Sequence, residues 1–404
     1  MADVLIAGGG PAGSALAILL GRQGLSVELF DRSRFPREKP CGEGLMPAGL
    51  AVLNRLGAAD AIGGAPFFGI RFHFGDKTIE GRFPQVAGFP IVGRGQRRQR
   101  LDRILFQLAA ETPGVAARAG AKVEAPLLGN GRVVGLCVNG EPRQASLVVA
   151  ADGARSRLRR QLGLDLPVRR KRFGVRAHFR LAPGREQPPW VEVFAAGDHE
   201  LYVTPLPEGE MLVAALADSR PLRESIERVF RRWCGEHPAV AARLEGAEQV
   251  SSLLCASPLE ARARSGVAPG IVLLGDAAGF LDPITGGGMT QALMTAELLA
   301  GYVAKNHATA GDWLWEFERD RRALLWDYRF LTHAMLFLAD HPRLTHALLT
   351  RLRLPPVLLS HLIGVSSGVR RLLGVGALKP SEPFLPAEFV TGCAARSLSA
   401  NLKD

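Results

Sequence analysis

Cysteine is sparse and unpaired. Cys41, Cys137, Cys234, Cys255 and Cys393 are scattered along 404 residues with no CxxC pair. An odd, dispersed set argues against a disulfide framework or a zinc site and fits a reducing compartment. No metal ligand set is expected. No uninterrupted apolar run reaches the roughly 18 residues of a spanning helix. The opening MADVLIAGGG has no basic stretch ahead of its apolar residues, unlike a signal peptide, so the expected location is cytoplasmic. Acidic side chains are also short, 39 against 50 Lys and Arg, for a formal charge of +11. Nine of the basic residues lie between Arg155 and Arg176, against Asp165 alone, and residues 341 to 404 carry eight basic and three acidic side chains. Such charge suits nucleic acid, an anionic membrane or an anionic cofactor. None of the usual nucleic-acid motifs occurs, which excludes the first. Solvated basic faces are the simplest account of the clusters.

The chain is too long for one simple core, so two coupled domains are expected. Hydrophobic content of 47% and charged content of 22% are ordinary for a globular protein. Asp3 to Ala7 reads as a buried strand, GGGPAGSALAILLGRQG as a glycine loop and a helix from Pro11, and SVELF as a second strand. AGLAVLNRLGAADAI has helical spacing, GIRFHFGDKTIEGRF alternates about a Gly-Asp turn like a hairpin, and RQRLDRILFQLAAE is an amphipathic helix burying Leu101, Ile104, Leu105 and Leu108. Residues 176 to 218 read as an antiparallel sheet. Gly8-x-Gly10-x-x-Gly13 follows one strand and opens a helix. Its glycines allow the tight turn, the approach of a pyrophosphate and helix–strand packing. Asp31 closes the next strand, 18 residues after Gly13, where a carboxylate can accept from a ribose. These features predict a bound dinucleotide.

Two further glycine-bearing strand ends recur, VVAADGARSRLRR and VLLGDAAGFLDPITGGGMTQAL. With the first motif they resemble, in order, the three fingerprints of the FAD-dependent aromatic hydroxylases and their relatives. That superfamily includes the para-hydroxybenzoate hydroxylase type, geranylgeranyl reductases and flavin-dependent halogenases, and the resemblance spans most of residues 1 to 300. It implies FAD as resident cofactor, held by Gly8, Gly10, Ala12, Gly13, Asp31, Arg32, Arg98, Asp152, Gly153, Asp276, Pro283, Gly286, Gly287, Gly288 and Met289. Asp276 would bind the ribityl chain, and Pro283 to Met289 would wrap the ring. Asp276 follows a five-residue apolar run, where a carboxylate needs donors that a sugar-alcohol chain supplies. The chain has a single GxGxxG, and the resemblance to single-component hydroxylases implies that NAD(P)H docks transiently over the flavin.

KPCGEGL resembles the segment that geranylgeranyl reductases, related hydroxylases and some halogenases carry beside the flavin, on the substrate side. Gly42 and Gly44, with Tyr202 and Thr204, are therefore expected to line the substrate cavity. Cys41 and Glu43 are candidates for acid–base work there, against the alternative of a simple positioning turn. Two reactions fit ahead of a halogenase or a non-enzymatic flavoprotein: monooxygenation with O₂ of a small aromatic or lipophilic substrate, which is favoured, and reduction of a prenyl-chain double bond. Halogenases carry Trp-x-Trp-x-Ile-Pro, whereas the only W-x-W here is Trp313-Leu-Trp315 in a helical segment. The fold expected is α/β: a Rossmann-like FAD domain assembled from residues 1–70, 95–170 and 265–310, an inserted antiparallel-sheet substrate domain from 71–94 and 171–264, and a C-terminal helical cap from 311–404. A cap fits the apolar and basic tail better than a membrane contact does.

Overall fold

The computed structural model describes residues 1–373 apart from 76, 196–197, 220–223, 307–312, 342–343 and 346–354. A parallel sheet is built from strands far apart in sequence, in the order Ile271–Leu273, Glu141–Ala150, Ala2–Ala7, Val27–Asp31 and Val115–Ala119. Its apolar runs are covered on both faces, as parallel strands require. The helix Pro11–Arg22 is buried along nearly its whole circumference, and its small residues let it sit against the helix Gly288–Asn306. The first glycine motif thereby lies at the centre of the molecule.

Two local expectations are refined. The helical segment after residue 46 divides into Pro47–Arg55 and Ala59–Ile62, because Gly57 takes a left-handed φ of 67° between them. The helix Arg98–Glu111 does bury Leu101 and Leu105, while Ile104 and Leu108 are only partly covered. Its fully buried face is shared by a polar pair, Arg98 and Asp102.

The second sheet is antiparallel through most of its width. It runs Glu248–Gln249, Arg172–Arg180, Glu210–Asp218, His199–Pro205, Val191–Ala195, Gly69–Phe74 and Lys77–Arg82, with only Val191–Ala195 and Gly69–Phe74 parallel. Alternation at period two separates its faces. Val175, Ala177, Leu201 and Val203 pack outward under the helix Ile226–Glu236. Arg172, Arg176, Glu200, Tyr202 and Thr204 lie on the opposite side, where their partners belong to the loops of the first sheet. The solvated-face account of the basic cluster holds for Arg155, Arg157, Arg160, Arg169 and Lys171, which are exposed, and fails for three others. Arg159, Arg172 and Arg176 are buried and ion-paired, with carboxylates that include Asp282 and Glu38 from distant segments.

The helix Trp313–Asp340 packs along the helix Gly288–Asn306, and the helix Pro356–Ser366 packs on both it and the strand Lys77–Arg82. Leu359 and Ile363 close an apolar cluster with Met46, Phe67, Phe83, Val191 and Val193. The remainder of the expected C-terminal cap, residues 374–404, lies outside the described residues.

Candidate functional site

The three glycine-bearing strand ends converge. Gly8 has φ of 111°, and a Cβ there would strike the backbone of Ala151 in the second motif. A Cβ on Gly275 would come within 3.1 Å of the Ala12 methyl, which joins the third motif to the first. At Gly10, by contrast, the nearest atom to a Cβ would be an Arg37 nitrogen at 3.6 Å, so the backbone there is open to an approaching group.

Asp31 braces this loop. One carboxylate oxygen accepts from the Gly9 N–H and the other from the Ser33 N–H, each at 2.8 Å. Each oxygen retains a lone pair for a ribose hydroxyl. Arg32 beside it is exposed. Asp152 accepts from the Arg157 N–H at 2.8 Å through one oxygen, while its other oxygen is buried with no hydrogen-bond partner. Gly153 follows with φ of 84°. Asp276 meets Lys39 at 3.3 Å and stays partly exposed. Pro283 opens a turn that ends at Gly286, and Met289 is buried in the helix begun at Gly288.

Arg98 is buried at the start of the helix Arg98–Glu111. Its guanidinium forms a bidentate pair with Asp102 at 2.9 and 2.8 Å. Burial would lower its pKa, but Asp102 outweighs that and holds it above the usual arginine range. Arg37 bonds the same Asp102 at 3.0 Å and is the cation beside the glycine loop. Sequence reasoning passed over Arg37, which lies two residues ahead of KPCGEGL.

The residues of REKPCGEGL divide sharply. Gly42 is exposed, and a Cβ added to it would meet nothing within 4 Å. Its carbonyl accepts from the Thr204 hydroxyl at 2.9 Å, which ties the loop to the second sheet. Gly44 sits in ordinary contact range of Phe67 and Val191. Cys41 is half-buried, and its sulfur accepts from the Glu43 N–H at 3.4 Å. Glu43 itself is sealed from solvent, with one oxygen accepting from the Arg98 N–H at 2.9 Å and the other facing His178 Nε2 at 2.7 Å. Arg176 lies 3.0 Å from His178 Nδ1 and can only donate. Nδ1 is therefore the acceptor, and Nε2–H donates to Glu43. This arrangement fixes the loop's position.

A second polar group stands over the turn at Pro283. Arg172 bonds Asp282 at 2.9 Å and Glu200 at 2.6 Å. The Tyr202 hydroxyl lies 3.4 Å from both the Glu200 carboxylate and the Ile284 carbonyl. Burial raises the pKa of Glu200 and Asp282, with Arg172 opposing it in both. Burial, then Glu200, also pushes Tyr202 well above the usual phenol value. The Tyr202 ring rests on the apolar cluster of Met46, Phe67, Val191 and Val193. A buried apolar cluster thus adjoins a hydroxyl backed by a carboxyl that retains its proton more readily than usual.

The loop-and-helix cradle fits FAD: Gly8 to Gly13 and the helix at Pro11 suit the diphosphate, and Asp31 the ribose. The unpartnered oxygen of Asp152 and the carboxylate of Asp276 suit polyol hydroxyls. Residues 1–328 match the FAD binding domain family, and the chain belongs to it. It is an FAD-dependent oxidoreductase. Among known proteins it is 31% identical over 330 residues to a menaquinone reductase of Mycolicibacterium smegmatis, covering 76% of this chain and 78% of that one. It is 27% identical over 323 residues to a digeranylgeranylglycerophospholipid reductase of Methanocella arvoryzae, covering 77% and 79%. It is 26% identical over 333 residues to squalene epoxidase of Schizosaccharomyces pombe, covering 75% and 69%. Its fold matches a flavoprotein/dehydrogenase from Cytophaga hutchinsonii with a TM-score of 0.79 at 23% identity, over 91% of this chain and 92% of that one.

Two expectations test the cradle and the loop. Asp276→Ala should weaken FAD binding by about 1.5–3 kcal/mol, the contribution of a hydrogen bond to a charged group, or roughly 10- to 150-fold. Titrating FAD into the folded apoprotein measures it, and unchanged affinity rejects the assignment. Gly42→Val should keep FAD stoichiometric yet lower turnover strongly, since its side chain would project into open space beside Thr204. Cys41→Ser, which removes little volume, should retain substantial turnover. Flavin content and steady-state rates on both variants decide, and normal turnover in a folded Gly42→Val protein would place the loop away from the chemistry.

Proposed function

We propose that the protein reduces a carbon–carbon double bond in the isoprenoid chain of a lipid, with FAD as resident cofactor and NAD(P)H as transient reductant. The observation that carries this is the meeting of the apolar Met46–Phe67–Val191–Val193 wall with the Tyr202–Glu200 pair. Adding hydrogen across an alkene requires a hydride and a proton. Bound and reduced, FAD would supply the hydride. Tyr202 donates its proton to the adjacent carbon, and Glu200 restores it to the phenolate. Thr204 holds the Gly42 carbonyl so that the loop borders the same space. The apolar cluster beside Tyr202 would orient the chain and exclude water from it.

The names of the relatives support this order of preference, since two of the three cited are reductases whose substrates carry isoprenoid chains. Oxygen transfer, which the sequence ranks first, is the second reading, and the likeness to squalene epoxidase favours it. Incubating the purified protein with NADPH and either menaquinone or a polyprenyl lipid separates the two. A product heavier by two hydrogens, formed without oxygen, supports reduction. A product carrying one added oxygen atom, with matching O₂ uptake, supports the epoxidase or hydroxylase reading.

A further inference from the structure

Asp102 is wholly buried in the helix Arg98–Glu111, yet its carboxylate holds two cations that lead to different places. Both oxygens take the Arg98 side chain, and one of them also takes Arg37 Nη1 at 3.0 Å. Arg98 leads to the KPCGEGL loop. Its backbone N–H donates to the Glu43 carboxylate at 2.9 Å, and the Glu43 N–H donates to the Cys41 sulfur at 3.4 Å. Behind burial, which lowers the Arg98 pKa, and Asp102, which raises it, Cys41 is the next group to act on that guanidinium. Arg37 leads to the glycine loop. Its Nη2 is the atom nearest a Cβ placed on Gly10, where a diphosphate must approach the backbone. The other donors of Arg37 are less engaged than Nη1. Nη2 is 3.8 Å from Asp31, whose oxygens already accept from Gly9 and Ser33, and Nε is buried with no hydrogen-bond partner. The guanidinium rests over the Phe35 ring, 5.3 Å from its centre, and Phe35 stacks on Phe106 of the helix that carries Asp102. A guanidinium held in place with donors to spare, beside an open backbone, matches a diphosphate.

We propose that Asp102 couples occupancy of the nucleotide cradle to the position of the KPCGEGL loop, with Arg37 reading the diphosphate. A diphosphate bonded to Arg37 fixes that guanidinium. The guanidinium fixes the shared oxygen of Asp102, and Asp102 fixes Arg98, whose N–H holds Glu43. Two arginines share one carboxylate in this bridge, so the negative charge of a diphosphate completes it. Without that charge the two guanidinium groups repel across Asp102, and the loop loses one of its ties. The remaining ties of the same short segment reach other elements. Glu38 pairs with Arg176 of the second sheet, and Lys39 with Asp276 of the third motif at 3.3 Å. The loop on the substrate side therefore takes its final position only when the cofactor is in place. Coupling of this kind is reciprocal, so the placed loop also tightens the hold on the cofactor. The inference rests on the FAD cradle alone and is the same for alkene reduction and for oxygen transfer.

The coupling is read without turnover, so its outcome is separate from that of the proposed reaction. The probe is ADP, which carries the adenosine and diphosphate of FAD but no flavin ring. Whatever ADP does at Cys41 is transmitted and is not shielding by the ring. Full-length apoprotein that regains its flavin content on adding FAD is treated with iodoacetamide, and the Cys41 peptide is quantified by mass spectrometry. Saturating ADP should slow alkylation of Cys41 about fivefold or more, the lower end of ordinary coupling between sites. AMP, with one phosphate, should slow it less. Arg37→Gln should weaken ADP binding roughly 10- to 150-fold, as for one hydrogen bond to a charged group. At saturating ADP its Cys41 should still react at the ligand-free rate. Asp102→Asn should bind ADP yet lose the protection, which locates the coupling at Asp102 and not in the cradle. Wild-type and Arg37→Gln proteins decide the matter even where Asp102→Asn does not fold. Equal Cys41 rates with and without ADP, or equal protection by AMP and ADP, overturn the proposal. Unchanged ADP affinity in Arg37→Gln overturns the diphosphate contact, and full protection in Asp102→Asn removes Asp102 from the route.

Discussion

Tyr202→Phe should lower kcat by about 10²- to 10⁴-fold, the range for loss of a positioned general acid. FAD content and lipid affinity should remain close to wild type. The substitution deletes one hydroxyl and leaves the ring on its apolar neighbours, so a large rate loss would report the proton and not the packing. Glu200→Gln tests the same pair through pH. Burial raises the Glu200 carboxyl above its ordinary value, more than Arg172 lowers it. The carboxyl is protonated below that raised pKa and can then resupply Tyr202. The supply is lost as pH rises through it, giving kcat an alkaline limb. Glu200→Gln should remove that limb and lower the plateau. A Tyr202→Phe enzyme with near-normal kcat would remove the relay from the mechanism.

Glu43→Ala should destabilise the protein by about 2–6 kcal/mol, since it leaves two buried donors unsatisfied at about 1–3 kcal/mol each. The Arg98 N–H and His178 Nε2–H would both lose their acceptor in a region sealed from water. Glu43→Gln is more informative. Its amide has a single acceptor oxygen, so turning that oxygen to one donor points the NH₂ at the other. A loss of about 1–3 kcal/mol, one unsatisfied buried group, is expected. Denaturant titration measures both variants. If Glu43 were instead the acid of the reaction, Gln would abolish turnover while leaving stability near wild type. That outcome would reverse the assignment of Glu43 as the residue that positions the loop.

The cofactor-binding fold was legible because its signals are local. The glycines of residues 8–13, Asp31 and the turn at 283–288 each declare a backbone requirement within a few residues of sequence. The polar network over the Pro283 turn was not legible. Arg172 and Asp282 are 110 residues apart, and Arg176 and Glu38 are 138 apart. No spacing rule reaches so far. One signal was available: in RFGVRAHFR, Arg172, Arg176 and His178 share one side of a strand whose other side is apolar. Charges confined to one face of a half-buried strand suggest partners across an interface, where a uniformly solvated strand end would scatter them. The same distance effect hid Glu43, whose carboxylate looks available in sequence and is consumed by two donors in space.

The parallel sheet has a consequence for synthesis. Its strand Ile271–Leu273 docks on Glu141–Ala150 only after more than a hundred intervening residues have been made. Until then a growing chain holds the glycine loop but neither Asp276 nor the Pro283 turn. Pairings this remote in sequence are slow to close. A nascent chain thus emerges with a half-built nucleotide cradle and exposed strand edges, a state vulnerable to aggregation and to chaperone capture. Flavin uptake becomes a late event, possible only once the ribosome has passed the third motif.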